Sequence, residues 1–158
     1  MPSEDYSAVR ALKDSIRADM KAALRAGEKD RLAIIRMLLA AIQRRELDDR
    51  ADLDDAGVLK LVDKLVRQGQ ESARQYADGG RDELAAKELA EVEVLKQYLP
   101  EPLSDGELDV LIEQVILDTG ADSMRDMGKV MNAIRQQAQG RADMGAVGGR
   151  VKAKLAGR

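Results

Sequence analysis

The chain has 158 residues, 44% of them hydrophobic and 35% charged, with a formal net charge of −3; this is enough for one sizeable domain or two small ones. It contains no histidine and no cysteine, which removes disulfides, thiolate metal sites, thiol nucleophiles and the ordinary serine triad, along with the commonest general base and metal ligand. Three tyrosines are its only aromatic residues, so the core has to be aliphatic and drawn largely from good helix formers.

Helical periodicity recurs along the chain and strand alternation is almost absent, so the expected fold class is all-α. A first helix is expected from about Ser7 to a stop at Gly27. A second runs from about Glu28 to Leu47, with Leu32, Ile35, Leu38, Leu39 and Ile42 inward. A third starts after Asp54 as N-cap, carries Val58, Leu61, Val62, Leu65 and Val66, and ends at Gly79-Gly80. A fourth covers Arg81 to Leu99, with Leu84, Val92, Leu95 and Leu99 inward.

Pro100 and Pro102 then forbid continuation. Ser104 followed by Glu107 reads as a capping box opening a new helix. Three shorter helices are expected beyond it. One spans Asp105 to Thr119 on Leu108, Leu111, Ile112, Val115 and Ile116. The next starts after Ser123 and runs to Gln139 on Met124, Met127, Val130, Met131 and Ile134. The last opens at Asp143 and carries Met144, Val147, Val151 and Leu155. The expected organisation is a larger N-terminal domain of about four helices over 1–99, a linker over 100–104, and a small three-helix C-terminal domain over 105–158.

Charge is distributed unevenly. Residues 100–124 contain seven acids and no base, whereas 125–158 contain eight bases and two acids. The last two helices are thus a basic unit on an acidic protein, suited to steering a polyanion. Lys129, Arg135, Arg141, Arg150, Lys152 and Lys154 are the candidate phosphate contacts. Gly128, Gly140 and Gly145 are the candidate close-approach positions, where a missing Cβ lets a backbone come near. The competing reading is a helix end whose lysines and arginines answer only to the helix dipole. With so few aromatic rings, any nucleic acid is expected to be held by shape and backbone, because base-by-base reading relies on stacking.

No catalytic constellation is found. The cluster Asp48, Asp49, Asp52, Asp54 and Asp55 could be a hard-cation site, but it lacks the spacing of a calcium loop and reads better as a solvated loop with a cap. No phosphate-binding glycine loop is present, and no metal or cofactor is expected. No apolar run approaches the ~18 residues of a membrane span, and the first residues are acidic and polar, unlike a secretory signal. A cytoplasmic protein is expected, with no membrane partner.

The stretches RLAIIRMLLAAIQRRELDDR, KELAEVEVLKQYLPEPLS, GADSMRDMGKVM and DMGKVMNAIRQQAQGRADMGAVGGRVKAKL together resemble the GatB/YqeY family, in order and over nearly the whole chain. They are closest to the free-standing YqeY-like proteins. The C-terminal part is also similar to the tail domain of the B subunit of tRNA-dependent amidotransferases. Gly128, Lys129 and Met131 match the GK-VM element, Gly140 and Arg141 the following turn, and Val151, Lys152 and Leu155 the closing helix. Such tails often carry Asn-Pro where this chain has Asp143-Met144. The resemblance implies an all-α protein and binding of tRNA or another structured RNA, without amidation chemistry of its own and with no DNA ligand. It also implies a possible protein partner in tRNA aminoacylation or amidation. The alternative is a protein–protein adaptor, in which the acidic 100–124 face and the basic tail engage another protein and RNA is incidental.

Overall fold

The computed structural model describes residues 11–138 and 141–157. Every regular element among them is helical: α1 Leu12–Ala26, α2 Lys29–Asp49, α3 Asp55–Asp78, α4 Asp82–Lys96, α5 Asp105–Thr119, a 3₁₀ turn Met124–Asp126, α6 Met127–Ala138 and α7 Met144–Ala156. The expected helix start near Ser7 and helix end at Gln139 lie outside the described residues. The chain divides into two compact units between Leu99 and Pro100.

In the first unit α1 ends where Gly27 takes φ 72° and its N–H turns back to the Ala23 and Leu24 carbonyls, a left-handed stop that glycine adopts without a Cβ penalty. Helix α2 continues two residues beyond the expected Leu47, because its stop is not a glycine: Arg50 itself takes φ 54°. Asp54 caps α3 by accepting from Gly57 N at 2.8 Å. Asp55 Oδ1 accepts from Leu12 N at 2.9 Å and so satisfies an orphan donor at the start of α1. Asp49 lies against Arg45. Three of the cluster's five acids thus cap or pair, and no group of acids among the described residues is arranged to hold a metal ion.

Ile16, Ile35, Leu38, Val58 and Val62 are fully buried at the centre of this unit, each stabilising it by roughly 1.5–3 kcal/mol. Val92 and Leu95 of α4 join them, but Leu84 does not: it is 37% exposed, and Ala85 is buried instead. Helix α4 lies so close to α3 that a Cβ on Gly69 would come within 2.6 Å of Val92 Cγ2. The close approach is at Gly69 and Val92, and in the first turn of α4 it is Ala85 that is buried while Leu84 turns outward.

Two polar links tie α1 in place. Tyr98 donates to Asp19 Oδ2 at 2.7 Å. Lys13 Nζ and Leu53 N both donate to Glu46 Oε2 at 2.7 Å. The bond from Lys13, then that from Leu53, holds the Glu46 carboxyl below the usual glutamate range. A lowered folded-state value means that its contribution is full above the ordinary glutamate pKa and disappears as pH falls through the folded one. Urea unfolding from pH 7 to pH 3 should therefore show wild type more stable than Glu46→Gln at neutral pH, with the gap closing in acid. A pH-independent gap would contradict it.

In the second unit Ser104 and Glu107 form the capping box of α5, with Glu107 N donating to Ser104 Oγ and Ser104 N to Glu107 Oε1. Helix α5 stops at Gly120 with φ 66°. The core is Leu108, Ile112, Val115, Ile116, Val130, Ile134, Val147, Val151 and Leu155. Met124 was expected among the inward residues and is 41% exposed. It sits in the 3₁₀ turn, whose three residues per turn put it out of phase with the stripe of α6. Leu103 N donates to the Arg141 carbonyl at 2.8 Å, and Arg141 Nε donates to the Glu101 carbonyl at 3.0 Å. These bonds hold the segment before α5 against the turn that precedes α7.

Candidate nucleic-acid interface

The cations of the C-terminal unit fall into two sets. On α7, Arg150 and Lys154 are four residues apart and so share a face. On α5, Asp105, Asp109 and Glu113 repeat at the same interval. The two rows meet. Arg150 Nη2 reaches Asp105 Oδ1 and its Nη1 reaches Asp109 Oδ1, both at 2.8 Å, and Lys154 Nζ reaches Glu113 Oε1 at 2.8 Å. Three of the seven acids of 100–124 are thus paired with the basic tail within the same unit. In the sequence this ladder shows only as matching four-residue spacings on two distant segments.

The pairs are partly solvated, with Arg150 33% exposed, so each contributes modestly. Arg150→Met should cost less than about 1 kcal/mol in urea unfolding. Arg150→Glu should cost more, because it sets a third carboxylate against Asp105 and Asp109, and high salt should shrink that loss. A reversal that costs nothing at low salt would remove the ladder from the account.

The second set faces outward. Lys129 and Arg135 are exposed on α6, Lys152 is exposed on α7, and Arg125 is exposed on the 3₁₀ turn. Among the described residues Lys129 and Lys152 make no ion pair or side-chain hydrogen bond. Arg135 Nη1 donates to Asn132 Oδ1 at 3.1 Å, which leaves its charge unneutralised. Arg141 is half-buried, and its guanidinium is tethered to a carbonyl rather than to an acid. The two nearby acids have local duties. Asp143 Oδ1 accepts from Gly145 N at the start of α7. Asp126 Oδ2 accepts from Asp122 N, and that bond, with help from Lys129, holds its carboxyl below the usual range.

Glycines accompany these cations. A Cβ on Gly128 or Gly149 would meet nothing within 4 Å, and one on Gly145 would meet only Asp143 Oδ1 at 3.5 Å. Gly148 packs over Met131 Cε, so that a Cβ would lie 3.8 Å from it, and this contact brings α7 onto α6. Gly140 and Arg158 lie outside the described residues.

A family model described as "Yqey-like protein" matches residues 13–155. The chain belongs to the YqeY-like family. A relative of this YqeY-like chain from Lachancea thermotolerans, named "Altered inheritance of mitochondria protein 41, mitochondrial", is 30% identical over 107 residues, or 66% of this chain and 57% of the relative. Proteins of the same name match from Pyrenophora tritici-repentis, at 27% identity over 80% of this chain and 71% of the relative, and from Saccharomyces cerevisiae, at 28% over 68% and 57%. The YqeY-like chain thus spans little more than half the length of the Lachancea and Saccharomyces proteins.

These names overturn the expectation of a cytoplasmic protein, since each of these relatives is named as mitochondrial. The expectation rested on the lack of an apolar span, on acidic and polar first residues unlike a secretory signal, and on missing cysteines. A chain without thiols carries no redox signature of its compartment. Nor does it separate compartments that, among the described residues, no helix is long and apolar enough to cross a membrane.

Proposed function

We propose that the C-terminal unit of this YqeY-like protein is a non-catalytic module that grips structured RNA, tRNA above all, by its backbone. The observation that carries this reading is the outward set of cations. Lys129, Arg135 and Lys152 stand exposed and make no ion pair among the described residues, beside glycines whose missing Cβ atoms leave open surface. Arg141 completes the set as both a charge and a structural tether. Arg150 and Lys154 belong to the ladder on α5 and contribute through the field more than by contact. The resemblance to amidotransferase tail domains supports the same ligand class, and catalysis in those enzymes lies in other domains.

The test is a fluorescence titration of the full chain with bulk tRNA at several salt concentrations. Four phosphate contacts predict a log–log slope of about −3 to −4. No binding at low salt would overturn the proposal. Gly128→Ala and Gly149→Ala give a second check. Each new methyl group enters open space within a helix, so each should raise stability by up to about 1 kcal/mol. Both should nevertheless weaken RNA binding, since the methyl groups stand where the phosphates approach. Unchanged affinity would mean that the RNA does not use this surface.

A further inference from the structure

Successive residues of α7 are about 100° apart around the helix. Val147, Val151 and Leu155 are buried in the core. Opposite them runs an exposed strip of Gly145, Ala146, Gly149 and Ala153, none with a side chain beyond a methyl group. Lys152 stands on one border of this strip, exposed and in no ion pair among the described residues. Arg150 and Lys154 stand on the other border, between the strip and the core. A Cβ on Gly149 would meet nothing within 4 Å, so a phosphate backbone has room to lie between the two borders.

Only the Lys152 border is open to it. On the other, both Nη groups of Arg150 are occupied, one by Asp109 Oδ1 and one by Asp105 Oδ1, each at 2.8 Å. Lys154 Nζ is held in the same way by Glu113 Oε1. The contacts to Arg150 are well solvated: the Asp105 side chain is 90% exposed and that of Asp109 52%. Pairs this exposed are weak, and α5 has its own capping box in Ser104 and Glu107. The fold therefore has little need of them. A phosphate offers a guanidinium the same pair of acceptor oxygens that the two carboxylates supply.

We propose that Asp105 and Asp109 are an autoinhibitory contact, an internal competitor for RNA phosphate that holds Arg150 off the strip on α7. Releasing Arg150 adds a phosphate contact to the surface already lined by Lys152. The inference rests on the reading of α6 and α7 as an RNA surface, and it makes that surface weaker than its cations alone would build. The carboxylates act by occupying the guanidinium, so their effect on RNA passes through Arg150 and not through total charge.

The experiment titrates bulk tRNA, over one salt series, into four full-length chains. These are wild type, the Asp105→Asn, Asp109→Asn chain, the same chain with Arg150→Met added, and a Glu101→Gln, Asp118→Asn control. The control removes as many charges from two exposed acids of the same unit that make no ion pair among the described residues, and an asparagine at 118 still accepts from Gln114. The Asp105→Asn, Asp109→Asn chain is expected to bind about tenfold tighter than wild type at low salt, with a log–log slope steeper by about 0.9, the share of one phosphate. The control should gain no more than about threefold, with its slope unchanged. Adding Arg150→Met should remove the extra slope and most of the gain. If the double substitution fails to fold, Asp109→Asn alone repeats the test with about half the gain on a logarithmic scale. A gain no larger than the control's, an unchanged slope, or a gain that survives Arg150→Met would overturn this inference and leave the RNA reading standing. No binding by wild type at low salt would overturn the RNA reading, and this inference with it.

Discussion

Gly69→Ala is expected to destabilise the N-terminal unit, by up to about 2 kcal/mol, although alanine is the better helix former. Gly69 lies inside α3, where replacing glycine by alanine normally gains about 1 kcal/mol. Here the new Cβ would stand 2.6 Å from Val92 Cγ2, against an optimum of about 3.5–4.0 Å. Val92 is β-branched and only 1% exposed, so it has little freedom to rotate away. The two helices must separate by several tenths of an ångström, and overpacking of this kind costs about 1–3 kcal/mol. A leucine at the same position should cost more. Urea unfolding of Gly69→Ala, Val92→Ala and the double variant measures the coupling: the double variant should lose less than the sum of the singles, because removing the valine methyl groups makes room for the new one. A stabilised Gly69→Ala, or strict additivity, would show that the crossing is looser than the structure has it.

Gly69 also marks what the sequence could not disclose. Its period placed the helices, and Gly27, Asp54 and the Ser104–Glu107 box were readable as caps because each acts through bonds to its own neighbours in the chain. How near α4 lies to α3 is a property of two segments together. A rule that sends the larger residue inward therefore chose Leu84 over Ala85. Met124 failed for a different reason: a switch from 3.6 to three residues per turn leaves no composition signal, and one such turn rotates a side chain out of the stripe. Arg50 in the left-handed region is a third case, since only its neighbours, and not its residue type, make it a stop.

The candidate interface was legible as composition and illegible as partnership. Eight bases after residue 124 announced a basic unit. Which of them are spent internally depends on the register of α7 against α5, and that register joins Arg150 to Asp105 and Asp109 across more than forty residues of chain. Once the ladder is set aside, Lys129, Arg135 and Lys152 stand out as the exposed cations of α6 and α7.

Charge reversal at two of these should therefore have the largest effect on ligand binding. Lys129→Glu combined with Lys152→Glu is expected to lower affinity for tRNA by about tenfold or more, and to cut the salt slope by about 1.5. Both side chains are exposed and neither makes an ion pair among the described residues, so the fold should lose little beyond the help Lys129 gives Asp126, and a urea midpoint close to that of wild type would confirm it. Arg141 is the wrong residue for this test, because its tether to Glu101 would confound lost contact with lost structure. A control with the same change in net charge is Lys21→Glu with Arg36→Glu, two exposed positions in the first unit. If affinity falls equally in the control, the RNA responds only to total charge. If it falls only in the α6–α7 pair, the phosphates lie along these two helices, and the slope counts how many of them were held.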